Sequence, residues 1–241
     1  MSLNTSKHNK MKISLIIPCY NESKSIPQLL GRCAPLVEKS NIEVILVDNG
    51  STDETPAVLN ALLPKYPGCR SIRIEVNQGY GFGITSGLKM ATGDILGWTH
   101  ADLQTDPVDI LQGITLFEKF GGQIMVKGQR YGRPLSDTLF TAGMSLFETI
   151  LFKRVFWDIN AQPNLFSRAF FESWAEIAPK DFSLDLFVYF MAQKKNLAIK
   201  RYPVKFSKRI FGTSHWNIDW KAKKKFIMRT IQFSLELKKQ I

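Results

Sequence analysis

The stretch Val44-Ile-Leu-Val-Asp48-Asn-Gly50-Ser-Thr-Asp53 decides how the chain is read. Four apolar residues, three of them β-branched, stop abruptly at carboxylates, glycine and hydroxyls. That is how a buried parallel strand reads when it runs into a functional loop. The pattern returns in Gly93-Asp94-Ile-Leu-Gly-Trp98-Thr-His100-Ala-Asp102-Leu-Gln104. In open α/β sheets ligands bind beyond the carboxyl ends of the strands. Two strand ends that both carry acids therefore imply one polar site for a sugar-like moiety and a hard cation.

Outward from these two stretches, strand and helix patterns alternate. Lys12-Ile-Ser-Leu-Ile-Ile17 reads as a strand ended by Pro18-Cys-Tyr20-Asn21-Glu22. Residues 25–39 carry apolar groups at helical spacing, with Pro27 suited to a first turn. After a strand over 43–47, Ser51 or Thr52 is placed to cap a helix, and Asp53 and Glu54 suit its positive end. Further strands are predicted over 71–76, 95–98 and 124–128, with a helix to about Ala91 between the first two. This rhythm implies an α/β fold with a mostly parallel sheet and helices on both faces. The glycines of Asn77-Gln-Gly79-Tyr-Gly81-Phe-Gly83-Ile-Thr-Ser-Gly87 fit neither G-x-G-x-x-G nor a P-loop. They suit close approach of backbone to a substrate or to a neighbouring helix.

At 241 residues and 44% hydrophobic, the chain can bury a large core in one domain, with or without an appendage. Cys19, Cys33 and Cys69 lack metal spacing and cannot all pair, which suits structural thiols in a reducing compartment. Residues 1–12 are polar without an apolar signal core, and no run of eighteen apolar residues occurs. The net charge of +11 is concentrated late: residues 200–241 hold twelve Lys/Arg against two Asp/Glu. That asymmetry points to a polyanionic partner, or to a basic face kept for solubility. No recognised nucleic-acid-binding module accompanies it.

The order Pro18-x-Tyr20-Asn21-Glu22, Val47-Asp48-x-Gly50-Ser-x-Asp53, Asn77-x-Gly79, Gly93-Asp94 and Ala101-Asp102-Leu103-Gln104 resembles the family 2 glycosyltransferases. The Ala-Asp-Leu-Gln element, with Gly128-Gln-Arg130-Tyr131, narrows the resemblance to the polyprenyl-phosphate glycosyltransferases. It implies a GT-A domain over residues 12–216, between a polar tail (1–11) and a basic amphipathic helix (217–241). Pro18, Tyr20, Glu22, Asp48, Asn77 and Gly79 match positions that line the nucleotide sugar. Asp53 reads equally as ligand contact or helix cap.

The resemblance also places a divalent cation, Mg²⁺ or Mn²⁺, on Asp102 and Gln104, with diphosphate oxygens completing the shell. Here the sequence departs from the family, because His100 stands where an aspartate is usual. His100 can bind the metal, hydrogen-bond a phosphate or sugar hydroxyl, or do neither. Arg130 matches a phosphate-binding arginine. Asp137 follows Ser136 where the family has arginine, which leaves Arg133 as the substitute acceptor contact. Gln162, Asn164 and Arg168 are candidates to read sugar hydroxyls, or to form a turn around Pro163. Asp185 matches an acid near the transferred sugar, a base for a hydroxyl acceptor or an orienting group for a phosphate. Arg209 matches a cation on the donor phosphates. Gly212 and Ser214 would let a loop close over the donor.

Two helical stretches bear on the acceptor. Residues 139–157 are aromatic-rich but broken by Glu148, Lys153 and Arg154, which suits an interfacial or buried helix rather than a span. From Trp220 an apolar stripe (Ile227, Ile231, Leu235) runs beside Lys221, Lys223, Lys224, Lys225 and Arg229, as in helices that lie on anionic membranes. The same helix can instead pack on the domain or form a homo-oligomer contact. The resemblance thus implies an inverting transferase on the cytoplasmic face of a membrane. It would move a sugar from a UDP- or GDP-linked donor to undecaprenyl or dolichyl phosphate. A hydroxyl acceptor in surface-glycan assembly is the alternative, as is a silent nucleotide-sugar-binding protein, which His100 keeps open.

Overall fold

A computed structural model describes residues 11–39, 41–211 and 220–239. The sheet has seven strands: β1 (Ile13–Cys19), β2 (Ile42–Asn49), β3 (Cys69–Ile74), β4 (Ile95–Trp98), β5 (Ile124–Tyr131), β6 (Asn164–Ser167) and β7 (Ala198–Lys205). Their order is β3-β2-β1-β4-β6-β5-β7. Only β6 runs against its neighbours, pairing antiparallel with both β4 and β5. The carboxyl ends of β1, β2, β4, β5 and β7 therefore all open on one edge.

Eight helices complete the described fold: α1 (Ile26–Val37), α2 (Thr55–Leu62), α3 (Tyr80–Met90), α4 (Ile110–Phe120), α5 (Leu135–Phe152), α6 (Arg168–Glu172), α7 (Leu184–Lys194) and α8 (Trp220–Lys238). The sheet is buried on both faces, and alternation along β1 shows how. Ile13, Leu15 and Ile17 point into one core with Leu29 and Leu30 of α1 and Phe117 of α4. Ile16 points into the other, with Ile84 and Leu88 of α3, Trp98, Phe166 and the α7 residues Phe187 and Val188. Side chains of period two on the strands meet helices on each side.

The glycine-rich segment is a packing device. A Cβ on Gly87 would lie 2.6 Å from Ile16 and 2.7 Å from Val47, so α3 can sit directly on β1 and β2 only with glycine there. Gly79, at φ 111°, approaches the Lys180 carbonyl so closely that a side chain would collide with it. The three cysteines are buried and unpaired. Burial pushes the thiols up, Cys69 to about 11, which keeps them protonated and inert.

Three element boundaries differ from expectation. The third strand starts at Cys69 and ends at Ile74, ahead of the predicted 71–76. The aromatic-rich helix begins at Leu135 and stops at Phe152, where Lys153 adopts left-handed φ. α2 begins at Thr55, later than a Ser51 or Thr52 cap would set it. Its first N–H instead donates to Asp53 Oδ1 at 3.0 Å.

α8 packs back on α5. Ser234 Oγ lies 2.7 Å from Glu148 Oε1 and 2.8 Å from the Thr230 carbonyl. A hydroxyl has one proton, so both contacts are satisfied when Glu148 is protonated and donates to Ser234. Burial supports that state by holding the Glu148 carboxyl up at about 7. Leu237 joins the core beside them. The donor-loop residues Gly212 and Ser214 and the tail 1–10 lie outside the described residues.

Candidate functional site

The two acidic strand ends meet at the open edge. After β1 the chain turns at Asn21 (φ 56°), and after β2 at Gly50 (φ 72°). The two turns are then tied together. Asn21 N donates to Ser51 Oγ at 3.0 Å, Thr52 N to Asn21 Oδ1 at 2.9 Å, and Glu22 N to Thr55 Oγ1 at 2.9 Å. Asp53 accepts from Ser23 N at 3.3 Å as well as from Thr55. Despite partial burial, those bonds hold its carboxyl below its ordinary value. Its contacts are those of a cap and a tie between loops.

Asp48 is buried at the end of β2, with Oδ1 accepting from Ser51 N at 3.0 Å and Oδ2 2.5 Å from Arg73. Pro18 and the exposed Tyr20 flank it across the β1–β2 register. Asn77 accepts from Gly79 N at 2.8 Å, and Asn49 donates to the Gly79 carbonyl at 2.9 Å, so the glycine turn closes the site's side.

Asp102 follows β4, with Oδ1 accepting from Gln104 N at 3.1 Å. Its Oδ2 is 3.3 Å from Arg209, whose same nitrogen is 3.2 Å from Glu22 Oε1. Burial raises the Glu22 carboxyl, opposed by the Ser25 hydroxyl and Arg209. Arg209 arrives from the segment after β7. That segment is held by Ser207 N donating to the Gln104 carbonyl at 2.7 Å and Gln104 Nε2 donating to the Ser207 carbonyl at 3.2 Å. Glu22, Asp102 and Arg209, far apart in sequence, thus converge.

No group of three or more His, Cys, Asp and Glu side chains converges for a metal among the described residues. One carboxylate and the Gln104 amide oxygen fit a hard cation only when a ligand's oxygens supply most of the shell. That chemistry is consistent with a cation arriving with a diphosphate. His100 has its ring 6.2 Å from that of Tyr80, on the side of Asp185.

The floor of the site is a buried polar chain. Lys127 on β5 is fully buried, and its Nζ donates to Asn164 Oδ1 and to the Ala161 carbonyl at 3.2 Å. Asn164 Nδ2 donates to Asp185 Oδ1 at 3.2 Å. Tyr80 donates to Asp185 Oδ2 at 3.2 Å and accepts from Gln162 Nε2. Tyr80 in turn stacks on Phe182 at 4.6 Å. Burial lowers Lys127 to about 7 against the pull of Asp185, and burial raises Asp185 against Lys127 and His100. Neither Lys127 nor Tyr80 was singled out from the sequence. The signal for Lys127 was a lone cation in Ile124-Met-Val-Lys127-Gly128; Tyr80 had none beyond its place in the glycine run.

Beside this chain, Arg130 forms a bidentate contact with Asp158 and donates its main-chain N–H to Asp158 Oδ2 at 3.0 Å. Arg133 is 3.6 Å from the same carboxylate and donates to Thr141 Oγ1 at 2.8 Å. Both guanidinium groups lie over Phe206, at 5.2 and 5.6 Å. Burial would raise Asp158, but the two arginines, Arg130 foremost, hold its carboxyl below the ordinary range. Two arginines on one carboxylate leave a net positive pocket, able to take an anion.

Not every expected residue arrives. Arg168 sits at the opposite end of the sheet, donating to the Gly93 and Ala91 carbonyls, with its N–H on Asp94 O. The reason is β6: running antiparallel, it brings Asn164 level with Trp98 and carries Ser167 back to Ile95. Ser136 is exposed on the first turn of α5.

Comparison with known proteins agrees with this geometry. The family model described as glycosyl transferase family 2 matches residues 14–172. The undecaprenyl-phosphate 4-deoxy-4-formamido-L-arabinose transferase of Sodalis glossinidius is 38% identical over 103 residues, 41% of this chain and 31% of that protein. The dolichol-phosphate mannosyltransferase of Pyrococcus furiosus is 34% identical over 121 residues, 50% of this chain and 34% of that protein. The chain thus spans about a third of the length of these relatives. Among solved structures, glucosyl-3-phosphoglycerate synthase from Mycobacterium tuberculosis, in complex with Mn²⁺, UDP and its product, superposes with a TM-score of 0.71. It is 19% identical, covering 95% of this chain and 80% of that one. A mannosyltransferase from Pyrobaculum calidifontis bound to GDP-mannose and Mn²⁺ gives 0.68 at 17% identity, covering 95% and 65%. The fold is therefore GT-A, and the chain belongs to glycosyl transferase family 2.

Proposed function

We propose that this chain transfers a sugar from a nucleoside-diphosphate donor to a polyprenyl phosphate, inverting the anomeric centre, while peripheral on the cytoplasmic face of a membrane. The observation that carries this reading is the pairing of two polar regions at one sheet edge. One is the Glu22–Arg209–Asp102 cluster and the other the Arg130–Asp158–Arg133 cluster. The first suits a donor diphosphate and the second an acceptor phosphate. The similarity to undecaprenyl- and dolichol-phosphate transferases supports the same acceptor class.

In this reading Asp48 and the loop ties after β1 and β2 hold the nucleoside. Asp102 and Gln104 hold a divalent cation together with the diphosphate, and Arg209 exchanges its carboxylate partners for phosphate oxygens. The cation supplies charge neutralisation for the departing diphosphate. Arg130 and Arg133 orient the acceptor phosphate, which is already ionised and needs no strong base. Asp185, gripped by Tyr80 and Asn164, orients the sugar. His100, on the Tyr80 side, takes a sugar or phosphate oxygen rather than the metal. Gln162 acts through Tyr80.

The test is nucleotide release from a panel of UDP- and GDP-sugars with Mn²⁺ or Mg²⁺, with and without undecaprenyl or dolichyl phosphate. Release that requires the lipid phosphate, and is lost in Asp102→Ala, is the expected result. Release indifferent to lipid phosphate contradicts the acceptor class. Donor binding without release by any combination contradicts catalysis.

A further inference from the structure

α5 is apolar on two faces. Its inner face carries Ser145, Glu148 and Phe152, buried against the core and α8. Its outer face carries Leu135, Leu139, Leu146 and Ile150, at spacings of four, seven and four that align them on one side. These four are 61–74% exposed. The stripe is about 22 Å long by the helical rise. Asp137 and the buried Glu148 are the only charged residues in the helix. Immediately after it come exposed Lys153, Arg154 and Val155, then Trp157, itself 41% exposed. A charge-free stripe of this length is unusual on a surface exposed to water.

We propose that this outer face of α5 lies in an anionic lipid surface; the inference rests on the glycosyl-transfer reading only for why the acceptor would be there. An apolar stripe ended by tryptophan and cations suits the boundary between headgroups and acyl chains. The net charge of +11 favours an anionic leaflet. A stripe one helix wide is narrow for a stable pair of copies, which buries roughly 800 Å² on each partner. The placement also has a consequence for the site. Arg133, at the amino end of α5, donates to Thr141 and to the Asp137 carbonyl, so the anion pocket is fixed to the helix that meets the lipid. α8 has the lesser share, because Phe233, Ser234 and Leu237 are turned inward.

The experiment is flotation of the full chain with phosphatidylcholine vesicles, with and without phosphatidylglycerol. The wild type is expected to float with the anionic vesicles. A Leu139→Glu/Leu146→Glu/Ile150→Glu variant should lose about 100-fold or more in partitioning, from apolar burial forgone at three sites. A Met228→Glu/Leu235→Glu variant on the exposed side of α8 should float like the wild type. All five positions are exposed, so both variants are expected to fold, and circular dichroism checks this. Flotation unchanged in the α5 variant, or lost only in the α8 variant, overturns the proposal. It is equally overturned if the wild type ignores vesicles yet dimerises through these leucines in sedimentation. Nucleotide release with short-chain polyprenyl phosphate in detergent separates the two readings. If it survives in the α5 variant, catalysis stands whatever flotation reports. If the wild type lacks it, the transfer reading fails while flotation still decides the docking.

Discussion

The two halves of the sheet handle charge in opposite ways. On the β1–β4 side, Glu22, Asp53 and Asp102 sit in loops beyond the strands, satisfied by main-chain N–H groups and a single bridging Arg209. On the β5–β7 side, Lys127, Asp158 and Asp185 are sunk into the core and satisfied by one another and by amides. The first arrangement leaves carboxylates able to exchange partners when a charged ligand arrives. The second fixes a rigid floor, because breaking any member leaves an uncompensated group in low dielectric. Substitutions on the first side should therefore act on turnover, and on the second chiefly on stability.

The largest effect expected is from Asp102→Ala. Losing a ligand for the neutralising cation removes several kcal/mol from the transition state, so turnover should fall by roughly 1000-fold. The melting temperature should barely move. A large drop in melting temperature would place Asp102 with the structural charges and erase the contrast.

Asp158→Asn comes next. The residue sits at φ 41°, which asparagine tolerates, so the change removes charge while keeping shape. Two buried guanidinium groups lose their counter-charge, and urea unfolding should report a loss of about 3 kcal/mol. Asp53→Asn on the donor side should cost about 1 kcal/mol or less, as for a weakened cap. Equal costs would show that depth of burial does not distinguish the halves.

Glu148 sharpens the comparison through pH. Its folded carboxyl titrates at about 7, above its ordinary 4.5. The folded state binds that proton more tightly than the unfolded chain. Its contribution is therefore full below 4.5 and lost as pH rises through 7. Glu148→Gln should flatten this dependence and gain about 2 kcal/mol on the wild type above neutral pH. The check is denaturant unfolding at several pH values. A variant that loses stability at high pH would mean that the ionised carboxylate is what docks α8.

Tyr80→Phe is the mildest. It removes one hydroxyl between Gln162 and Asp185, worth roughly 1 kcal/mol in thermal unfolding, while the ring keeps its stack on Phe182.

The same division explains what could be read from the chain alone. On the donor side, apolar runs ending in acids exposed both the strands and the site, since buried parallel strands and their loops differ so sharply in composition. Even the arrival of Arg209 beside Glu22 and Asp102 followed from the family resemblance. On the other side the reading was thinner. Arg130 was expected to meet phosphate, but that Asp158 would clasp it depends on a turn between distant segments. Lys127 looked like an interruption in a strand, because a lysine paired through Asn164 to Asp185 is a three-element contact. Arg168 was misplaced because nothing local announces that β6 runs backwards. α5 was legible as apolar, but which of its faces meets the core depends on where α8 lies.

The most direct test of the central claim is product identity. The protein is incubated with a radiolabelled nucleotide sugar, Mn²⁺ and undecaprenyl phosphate in anionic vesicles, and the organic phase is examined by mass spectrometry. The account predicts a glycosyl-1-phosphoryl lipid in which the sugar has inverted, absent with Asp102→Ala. Label that stays in the aqueous phase as free sugar, or that appears on a hydroxyl acceptor with the lipid phosphate unmodified, would contradict it.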